Sequence, residues 1–367
     1  MIKVSFNELR RDGKVNRNFY IDLASKGLRM PIGSDLVLKE KADHAQRILN
    51  GRLLGEVIVE TAQRFNTPLA FPLMDLTVEK EWLVALLGIA KDNIKEWHFE
   101  KHPSPEDLAV VRQGLHENKH LTPRIQANCD AIKYVAQNST YLPVGMSIGP
   151  FSMMTTLLSD PITAVYMAGT GATAQEDEEV GMVETALEMS IAIILKSIRM
   201  QLEHGAKAIC VCEPAANKVY ISPMQLESGS DIFDRFVLDY NKKVRNLLAE
   251  YDADLIFHDC GELVDTMVSK FNALDPAILS LGSSRKIWED AGLVNESSVL
   301  FGNLPTKKFY SDPDITKEQV REQTLSLLEN MKKTGHPFIL GSECDVLSVP
   351  GATATIMEKI EAMLTVK

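Results

Sequence analysis

Three side chains of the kinds that bind zinc follow short apolar stretches of this chain. One stretch runs into the letters HDCG, which include His258 and Cys260, and a later one runs into GSECD, which includes Cys344. His258 and Cys260 are two positions apart, so on an extended chain their side chains project to the same side. Imidazole and thiolate are preferred zinc ligands, and three protein ligands leave a fourth position open, as in catalytic sites. The residues predict a zinc site, although each cysteine taken alone is also consistent with a buried thiol.

Other side chains near the ends of apolar stretches are candidates for chemistry. Glu213 is a candidate fourth, displaceable metal ligand or acid/base group, with a solvated carboxylate as the alternative. Asp75 is a candidate pocket residue that hydrogen-bonds substrate, orients a ligand or transfers a proton. Asn303 can line the same pocket or cap the turn that follows it. Met153 and Met154 can form an apolar wall of a substrate pocket, but methionines at helical spacing more commonly pack in a core.

Short apolar runs rich in β-forming residues alternate with long amphipathic stretches along the chain. Nearly continuous apolar runs are typical of parallel strands that are covered on both faces. The predicted strands are residues 68–75, 142–148, 207–213, 254–258, 277–281, 298–302 and 337–341, with a weaker candidate near 96–100. The predicted helices include residues 178–204, 231–250 and 315–333.

Repeated strand–helix units with about eight strands favour a closed (β/α)8 barrel of the TIM type, an α/β fold, over an open doubly wound sheet. In such barrels the functional residues lie at the carboxyl ends of the strands. Residues 1–66 fit the pattern least well, with an extended lead-in at 28–38 and a helix at 52–65, and we expect them to form an N-terminal extension. Residues 67–367 then form the barrel core of a single domain that spans 1–367.

The composition argues against several functional classes. The formal net charge is −11, which is unfavourable for a nucleic-acid-binding surface. No uninterrupted apolar run of about 18 residues is present, so we expect no membrane span. The five cysteines are an odd number, and the first residues lack the apolar core of a secretory signal, so we expect no disulfide framework. A cytoplasmic location is the corresponding expectation.

Several motifs of this chain resemble those of a known superfamily. They are PLMDLTVEKEWL (72–83), SIGPFSMMTTLL (147–158), CEPAANKVYISPMQLE (212–227), FHDCGEL (257–263), FGNLP (301–305) and LGSECDVLSVPG (340–351). Through them the chain resembles the uroporphyrinogen decarboxylase superfamily, and within it the zinc-dependent cobamide (corrinoid) methyltransferase branch. The resemblance implies a (β/α)8 barrel and zinc ligands at His258, Cys260 and Cys344. The true decarboxylases lack these thiols and carry an arginine-rich RQAGR motif that this chain does not have, although Asp75 matches their pocket aspartate.

The resemblance also implies a reaction. Enzymes of this branch move a methyl group between a small O-, N- or S-methylated substrate, or a thiol, and the cobalt of a corrinoid; the direction of transfer stays open. Since the chain lacks an Asp-x-His-x-x-Gly corrinoid-binding motif, we expect the corrinoid to come from a partner protein or from solution. Relatives of this kind also suggest a homodimer. Two alternatives are a uroporphyrinogen decarboxylase-like lyase that acts on a tetrapyrrole, and a non-catalytic zinc- or corrinoid-binding protein.

Overall fold

The computed structural model describes residues 17–89 and 94–366. Its strands are β1 (Arg29–Ile32), β2 (Leu69–Ala70), β3 (Leu142–Ile148), β4 (Ala208–Cys212), β5 (Asp254–Asp259), β6 (Ile278–Leu281), β7 (Val299–Leu304) and β8 (Phe338–Asp345). Within these residues the eight strands are parallel and form one sheet in the order β1-β8-β7-β6-β5-β4-β3-β2. The sheet curls into an α/β barrel of the TIM type, which confirms the predicted fold class.

The two edge strands, β1 and β2, are joined by side chains. Ser34 Oγ, just after β1, donates a hydrogen bond to the carbonyl oxygen of Phe71, just after β2, at 2.6 Å. Thr67 Oγ1, just before β2, lies 3.0 Å from Met30 Sδ in β1. Pro31 has no N–H to donate to a neighbouring strand, and a sheet edge is the position that tolerates this. These contacts hold the two edges of the sheet together.

Helices pack around the sheet. They are α1 (Asn18–Ser25), α2 (Ser34–Lys39), α3 (His44–Arg47), α4 (Gly51–Arg64), α5 (Val78–Leu86), α6 (Pro105–His116), α7 (Pro123–Asn138), α8 (Pro150–Leu157), α9 (Pro161–Gly169), α10 (Glu178–Glu203), α11 (Pro223–Glu227), α12 (Asp239–Glu250), α13 (Asp265–Lys270), α14 (Ile287–Asp290), α15 (Lys317–Thr334) and α16 (Thr353–Thr365). The predicted helix at 178–204 is α10, and that at 315–333 is α15, which begins at a Thr316–Gln319 capping box. Among the residues described, no helix combines the length and the apolar character that crossing a membrane requires.

Buried apolar side chains form two layers, one on each side of the sheet. The inner layer fills the barrel and includes Met146, Ile256 and Phe301, and the outer layer packs the sheet against the helices. Helix α1 covers the amino-terminal end of the barrel, because Tyr20 is buried with the inner layer and its hydroxyl donates a hydrogen bond to Asp254 at the start of β5. The opposite end, where the strands finish, is therefore the end at which a site can form.

Two predictions about the strands are wrong. Residues 96–100 form no strand, and Phe99 makes only an isolated bridge with Leu158. The eighth strand is Arg29–Ile32, which lies inside the segment 1–66 that we expected to be an N-terminal extension. Four residues that include a proline are too few to show a strand pattern in the sequence. This segment is a strand because it pairs with β8. The barrel consequently begins well before residue 67.

Candidate metal centre

The carboxyl ends of β5 and β8 bring His258, Cys260 and Cys344 together. His258 lies in β5 and is 1% exposed, Cys260 directly follows that strand, and Cys344 lies near the end of β8. One ligand atom of each side chain lies within 4.8 Å of those of the other two. Both cysteines are partly exposed, so the group can be reached from the carboxyl end of the barrel.

The spacing of the donor atoms fits a tetrahedral zinc ion. The Cys260 and Cys344 Sγ atoms are 3.8 Å apart, and two Zn–S bonds of about 2.3 Å at a tetrahedral angle separate their sulfurs by about 3.8 Å. His258 Nε2 is buried and has no hydrogen-bond partner among the described residues, which is costly unless a further ligand pairs with it. One imidazole and two thiols suit zinc, whereas magnesium and calcium prefer oxygen. The residues present therefore fit the predicted metal.

Ser280 orients the imidazole of His258. The two residues face each other in the pairing of β5 with β6, and Ser280 Oγ is 2.8 Å from His258 Nδ1. In the tautomer whose Nδ1–H donates to Ser280 Oγ, the Nε2 lone pair is free to bind a metal. Ser280 was not predicted from the sequence, because only the register between two strands reveals the contact.

Replacement of Ser280 by alanine is expected to weaken zinc binding by about 10- to 100-fold, because partners that orient a metal-binding histidine have effects of this size. The measurement is a titration of the purified protein against a competing chelator. Ser326→Ala, which changes an exposed serine on α15, is the control and should leave the affinity unchanged. Equal zinc affinities of the wild type and Ser280→Ala would argue against the orienting role.

The two thiols share a contact and differ in acidity. The hydrogen bond with Cys344 lowers the pKa of Cys260, and His258 and Lys307 add to this effect. The same contact, together with burial, raises the pKa of Cys344. Cys260 is therefore the thiol that ionises first, and a thiolate is the form of cysteine that binds a metal. The Lys307 ammonium supports this charge, with its Nζ 3.6 Å from Cys260 Sγ.

Glu343, in β8, accepts hydrogen bonds from two loops, one after β6 and one after β7. Its Oε2 accepts hydrogen bonds from the N–H and the hydroxyl of Ser283, after β6, at 3.2 and 2.6 Å. Its Oε1 accepts a hydrogen bond from the N–H of Lys307, after β7, at 3.3 Å. Glu343 directly precedes Cys344, so these hydrogen bonds fix the backbone of Lys307 relative to the metal group. Ser283 and Lys307 carry no motif that would have marked them in the sequence.

Glu213, the predicted fourth ligand or acid/base group, is fully buried and its carboxylate is occupied by other contacts. It accepts hydrogen bonds from the Ser152 N–H at 2.5 Å, the Phe151 N–H at 3.4 Å and the Asn241 amide at 2.8 Å. Burial raises its pKa, against the effect of these hydrogen bonds. Gly149 makes room for it, because a Cβ at that position would lie 2.2 Å from Glu213 Oε2. Glu213 also lies outside the group of close ligand atoms found among the described residues, so the geometry favours a structural role at the start of α8.

Asp75 follows β2, is partly exposed and forms an ion pair with Arg124. It also accepts hydrogen bonds from the N–H and the hydroxyl of Thr77, at 3.1 and 2.7 Å. Together with Glu79 it lines a cavity of about 10 Å³. Such a volume holds no more than about one water molecule, so this cavity is not a substrate site. A role of Asp75 in a substrate pocket stays a prediction, and it would involve the solvent-exposed part of the side chain.

Asn303, Met153 and Met154 all make packing or loop contacts. The Asn303 amide donates hydrogen bonds to the carbonyl oxygens of Gly282 and Arg285, at 2.8 and 2.9 Å, and so fixes the loop after β6. Met153 and Met154 are fully buried in the outer core layer. The prediction that these methionines form a substrate wall is corrected accordingly, since helix α8 turns both of them into the core.

Glu79 is expected to make stability depend on pH. It is 2% exposed, accepts hydrogen bonds from the hydroxyls of Ser147 and Ser197, and burial raises its pKa from 4.5 to about 7. The folded state therefore holds this proton more tightly than the unfolded chain. The resulting stabilisation is complete below about pH 4.5 and is lost as the pH rises through about 7.

The Glu79→Gln variant has no carboxyl group to titrate at this position, so only the wild type loses stability there as the pH rises. The free energy of unfolding of the variant should therefore rise relative to that of the wild type by on the order of 3 kcal/mol between pH 4.5 and 8. Urea unfolding of both proteins at several pH values measures the difference. Glu322→Gln, on the exposed side of α15, is the control and should show no such trend. A difference between Glu79→Gln and wild type that stays constant with pH would contradict a buried, proton-binding Glu79.

Comparisons with known proteins identify the family of this chain. The uroporphyrinogen decarboxylase (URO-D) family profile matches residues 32–366. A methylcobamide:CoM methyltransferase, MtbA of Methanosarcina mazei, is 26% identical over 259 residues, which cover 68% of this chain and 69% of that protein. MtbA of Methanosarcina acetivorans is 25% identical over 140 residues, which cover 38% of this chain and 36% of that protein.

A solved structure shares the fold. A methyltransferase from Methanosarcina mazei superposes on this chain with a TM-score of 0.64 and 17% sequence identity, and the match covers 95% of this chain and 97% of the other. The family profile spans most of the barrel and includes all three candidate ligands. The chain therefore belongs to the uroporphyrinogen decarboxylase family.

Proposed function

We propose that the protein is a zinc-dependent methyltransferase that moves a methyl group between a small substrate and the cobalt of a corrinoid carried by a partner protein or taken from solution. The small substrate is an O-, N- or S-methyl compound or a thiol. The observation that carries the proposal is the group of His258, Cys260 and Cys344, with two sulfurs 3.8 Å apart and an imidazole nitrogen without a partner among the described residues. The similarity to proteins named methylcobamide:CoM methyltransferase supports the methyl-transfer part.

The residues of the chain have separate tasks in this proposal. His258 would bind zinc through Nε2, held in orientation by Ser280, and Cys260 and Cys344 would bind through sulfur. Bound zinc would supply a Lewis acid that lowers the pKa of a substrate thiol or polarises the heteroatom of a methyl donor. Three protein ligands leave a position for that substrate atom. The partial exposure of both cysteines supports access of a corrinoid to this position.

The remaining parts of the proposal rest on more general grounds. A cytoplasmic location fits five free cysteines, which a reducing compartment preserves. Because the sequence lacks an Asp-x-His-x-x-Gly motif, the corrinoid would come from a partner protein or from solution. A homodimer follows only from the resemblance to the methyltransferase branch.

The two alternative functions have less support. A decarboxylase-like lyase needs cationic side chains that are free to bind several substrate carboxylates. Arg285 already pairs with Asp290 and Asp265, and Arg124 already pairs with Asp75. A non-catalytic zinc site usually has four protein ligands, whereas the described group offers three.

The test combines zinc content by elemental analysis with methyl transfer from methylcobalamin to a small thiol. We expect about one zinc per wild-type chain and its loss in His258→Ala, because the remaining two thiols are too few ligands for a stable site. Purified wild type without zinc, prepared without chelators, would overturn the proposed metal. Zinc without methyl transfer in either direction would instead favour the non-catalytic alternative.

A further inference from the structure

Three sulfur atoms meet inside the barrel, close enough to share a metal ion. Cys210 and Cys212 are two positions apart on β4, so their side chains project to the same side, and their Sγ atoms are 3.9 Å apart. Met146 on β3 pairs with Cys210 in the parallel register, and its Sδ lies 3.3 Å from Cys212 Sγ. We call these three residues the sulfur cluster.

The sulfur cluster is buried among apolar side chains. All three residues belong to the inner core layer that fills the barrel. In the part of the chain that the structure describes, the two thiols form hydrogen bonds only with sulfur. A thiol is a weak donor and a thioether is a weak acceptor, so these contacts use little of the bonding capacity of the three sulfurs. A metal ion that prefers sulfur would use it fully.

The sulfur cluster is distinct from the candidate zinc group. Cys212 pairs with His258 between β4 and β5, so the two sets of donors lie side by side in the barrel. Neither Cys210 nor Cys212 belongs to the described group whose ligand atoms all lie within 4.8 Å of one another. The cluster is therefore a second set of donors.

The kinds of donor and their spacing indicate which ion would fit. Zinc sites in proteins use thiolate, imidazole and carboxylate, whereas Cu(I) also takes the thioether of methionine. Three metal–sulfur bonds of about 2.3 Å in one plane separate the sulfurs by about 4.0 Å. The 3.9 Å between Cys210 and Cys212 agrees with this value, and the flexible side chain of Met146 can adjust its own contact. A monovalent ion with one thiolate is neutral overall, which suits an apolar core.

We propose that the sulfur cluster is a second metal site, which takes the soft monovalent ion Cu(I). Cys212 contacts both of the other sulfurs, so we assign the thiolate to it. On binding, its S–H bond breaks, the proton leaves to solvent and a copper–sulfur bond forms. Cys210 and Met146 donate sulfur lone pairs, and no electron is transferred. The inference goes beyond the proposed function, because it requires neither zinc nor a corrinoid.

The test measures Cu(I) binding where the zinc group cannot contribute its thiols. The Cys260→Ala/Cys344→Ala double variant lacks both of those thiols and keeps the sulfur cluster. It is loaded with Cu(I) without oxygen and then equilibrated with a competing Cu(I) chelator, and elemental analysis gives the copper per chain. We expect about one copper per chain, and the further change Cys212→Ala should lower the affinity by more than about 100-fold, beyond the effect of losing an orienting partner.

Two further variants make the test specific. Cys129→Ala, added to the same double variant, removes a buried cysteine outside the cluster and should leave the copper content unchanged. Met146→Leu keeps both thiols and nearly the same side-chain volume, so the core should tolerate it. We expect Met146→Leu to weaken Cu(I) binding by about 10-fold, the lower end of the effects seen around metal sites. X-ray absorption at the copper edge should show fewer sulfur neighbours in this variant.

The outcomes separate a metal site from plain core packing. No retained copper in the double variant would overturn the inference. Copper that is retained equally after Cys212→Ala, or an affinity that Met146→Leu leaves unchanged, would also overturn it. Circular dichroism checks the fold of each variant, and the Met146→Leu result decides if Cys212→Ala does not fold. None of these outcomes affects the zinc group, whose own test is the zinc content of the wild type and His258→Ala.

Discussion

The Cys344→Ala variant is expected to lose zinc and, with it, methyl transfer. Its sulfur is one of the two that lie 3.8 Å apart in the metal group. Without it, His258 and Cys260 remain as two ligands, and we expect the zinc affinity to fall by more than about 100-fold, beyond the effect of losing an orienting partner. Zinc per chain after dialysis and the rate of methyl transfer from methylcobalamin measure the two parts of this prediction.

Cys129→Ala provides the matched control for loss of a cysteine. Cys129 is buried on α7, and burial raises its pKa to about 12, so it stays a thiol at neutral pH. We expect this variant to keep its zinc and its rate, with a small loss of stability from the cavity it leaves. Full zinc content in Cys344→Ala would remove Cys344 from the ligand set. A decarboxylase would keep its rate in both variants.

Replacement of Glu213 by alanine is expected to lower the free energy of unfolding by on the order of 3 kcal/mol, while the zinc content stays unchanged. The change leaves the N–H groups of Phe151 and Ser152 and the Asn241 amide without their buried acceptor. Each unpaired buried donor costs free energy, and a cavity adds to the loss. Urea unfolding and elemental analysis of the same samples measure both quantities.

Glu227→Ala is the control, because Glu227 is exposed on α11 and its loss should change stability little. Glu213→Gln keeps one acceptor oxygen and should fall between Glu213→Ala and wild type. If Glu213→Ala lost its zinc and kept its stability, the residue would be a metal ligand, as was first predicted from the sequence.

Local patterns determine most of the barrel. The strands β3 to β8 coincide with apolar runs that are visible in the sequence, because a strand covered on both faces needs apolar side chains on both faces. Helix α15 is equally visible, with a capping threonine at Thr316 and Gly335 in a left-handed conformation after its end. The strand at 29–32 is different, because its four residues become a strand only by pairing with β8.

The candidate site also depends partly on local sequence and partly on tertiary structure. The approach of His258 and Cys260 follows from the sequence. The two residues are two positions apart at the end of one strand, so their side chains project to the same side. The approach of Cys344, 84 residues after Cys260, depends on how the sheet curls. Its place in the ligand set was therefore predicted from the family resemblance together with the strand-end motif, and the structure supplies the distance.

Tertiary structure alone decides the contacts that tune the site. Ser280 reaches His258 through the register of two strands, and Lys307 reaches Cys260 through a loop fixed by Glu343. Glu213, a candidate fourth ligand or acid/base group, accepts hydrogen bonds from backbone N–H groups at the start of α8. The sequence by itself determines which segments are apolar and where helices and strands end, because these depend on neighbouring residues. Register, closure and the pairing of buried polar atoms depend on residues distant in the chain, which meet only when the whole core has formed.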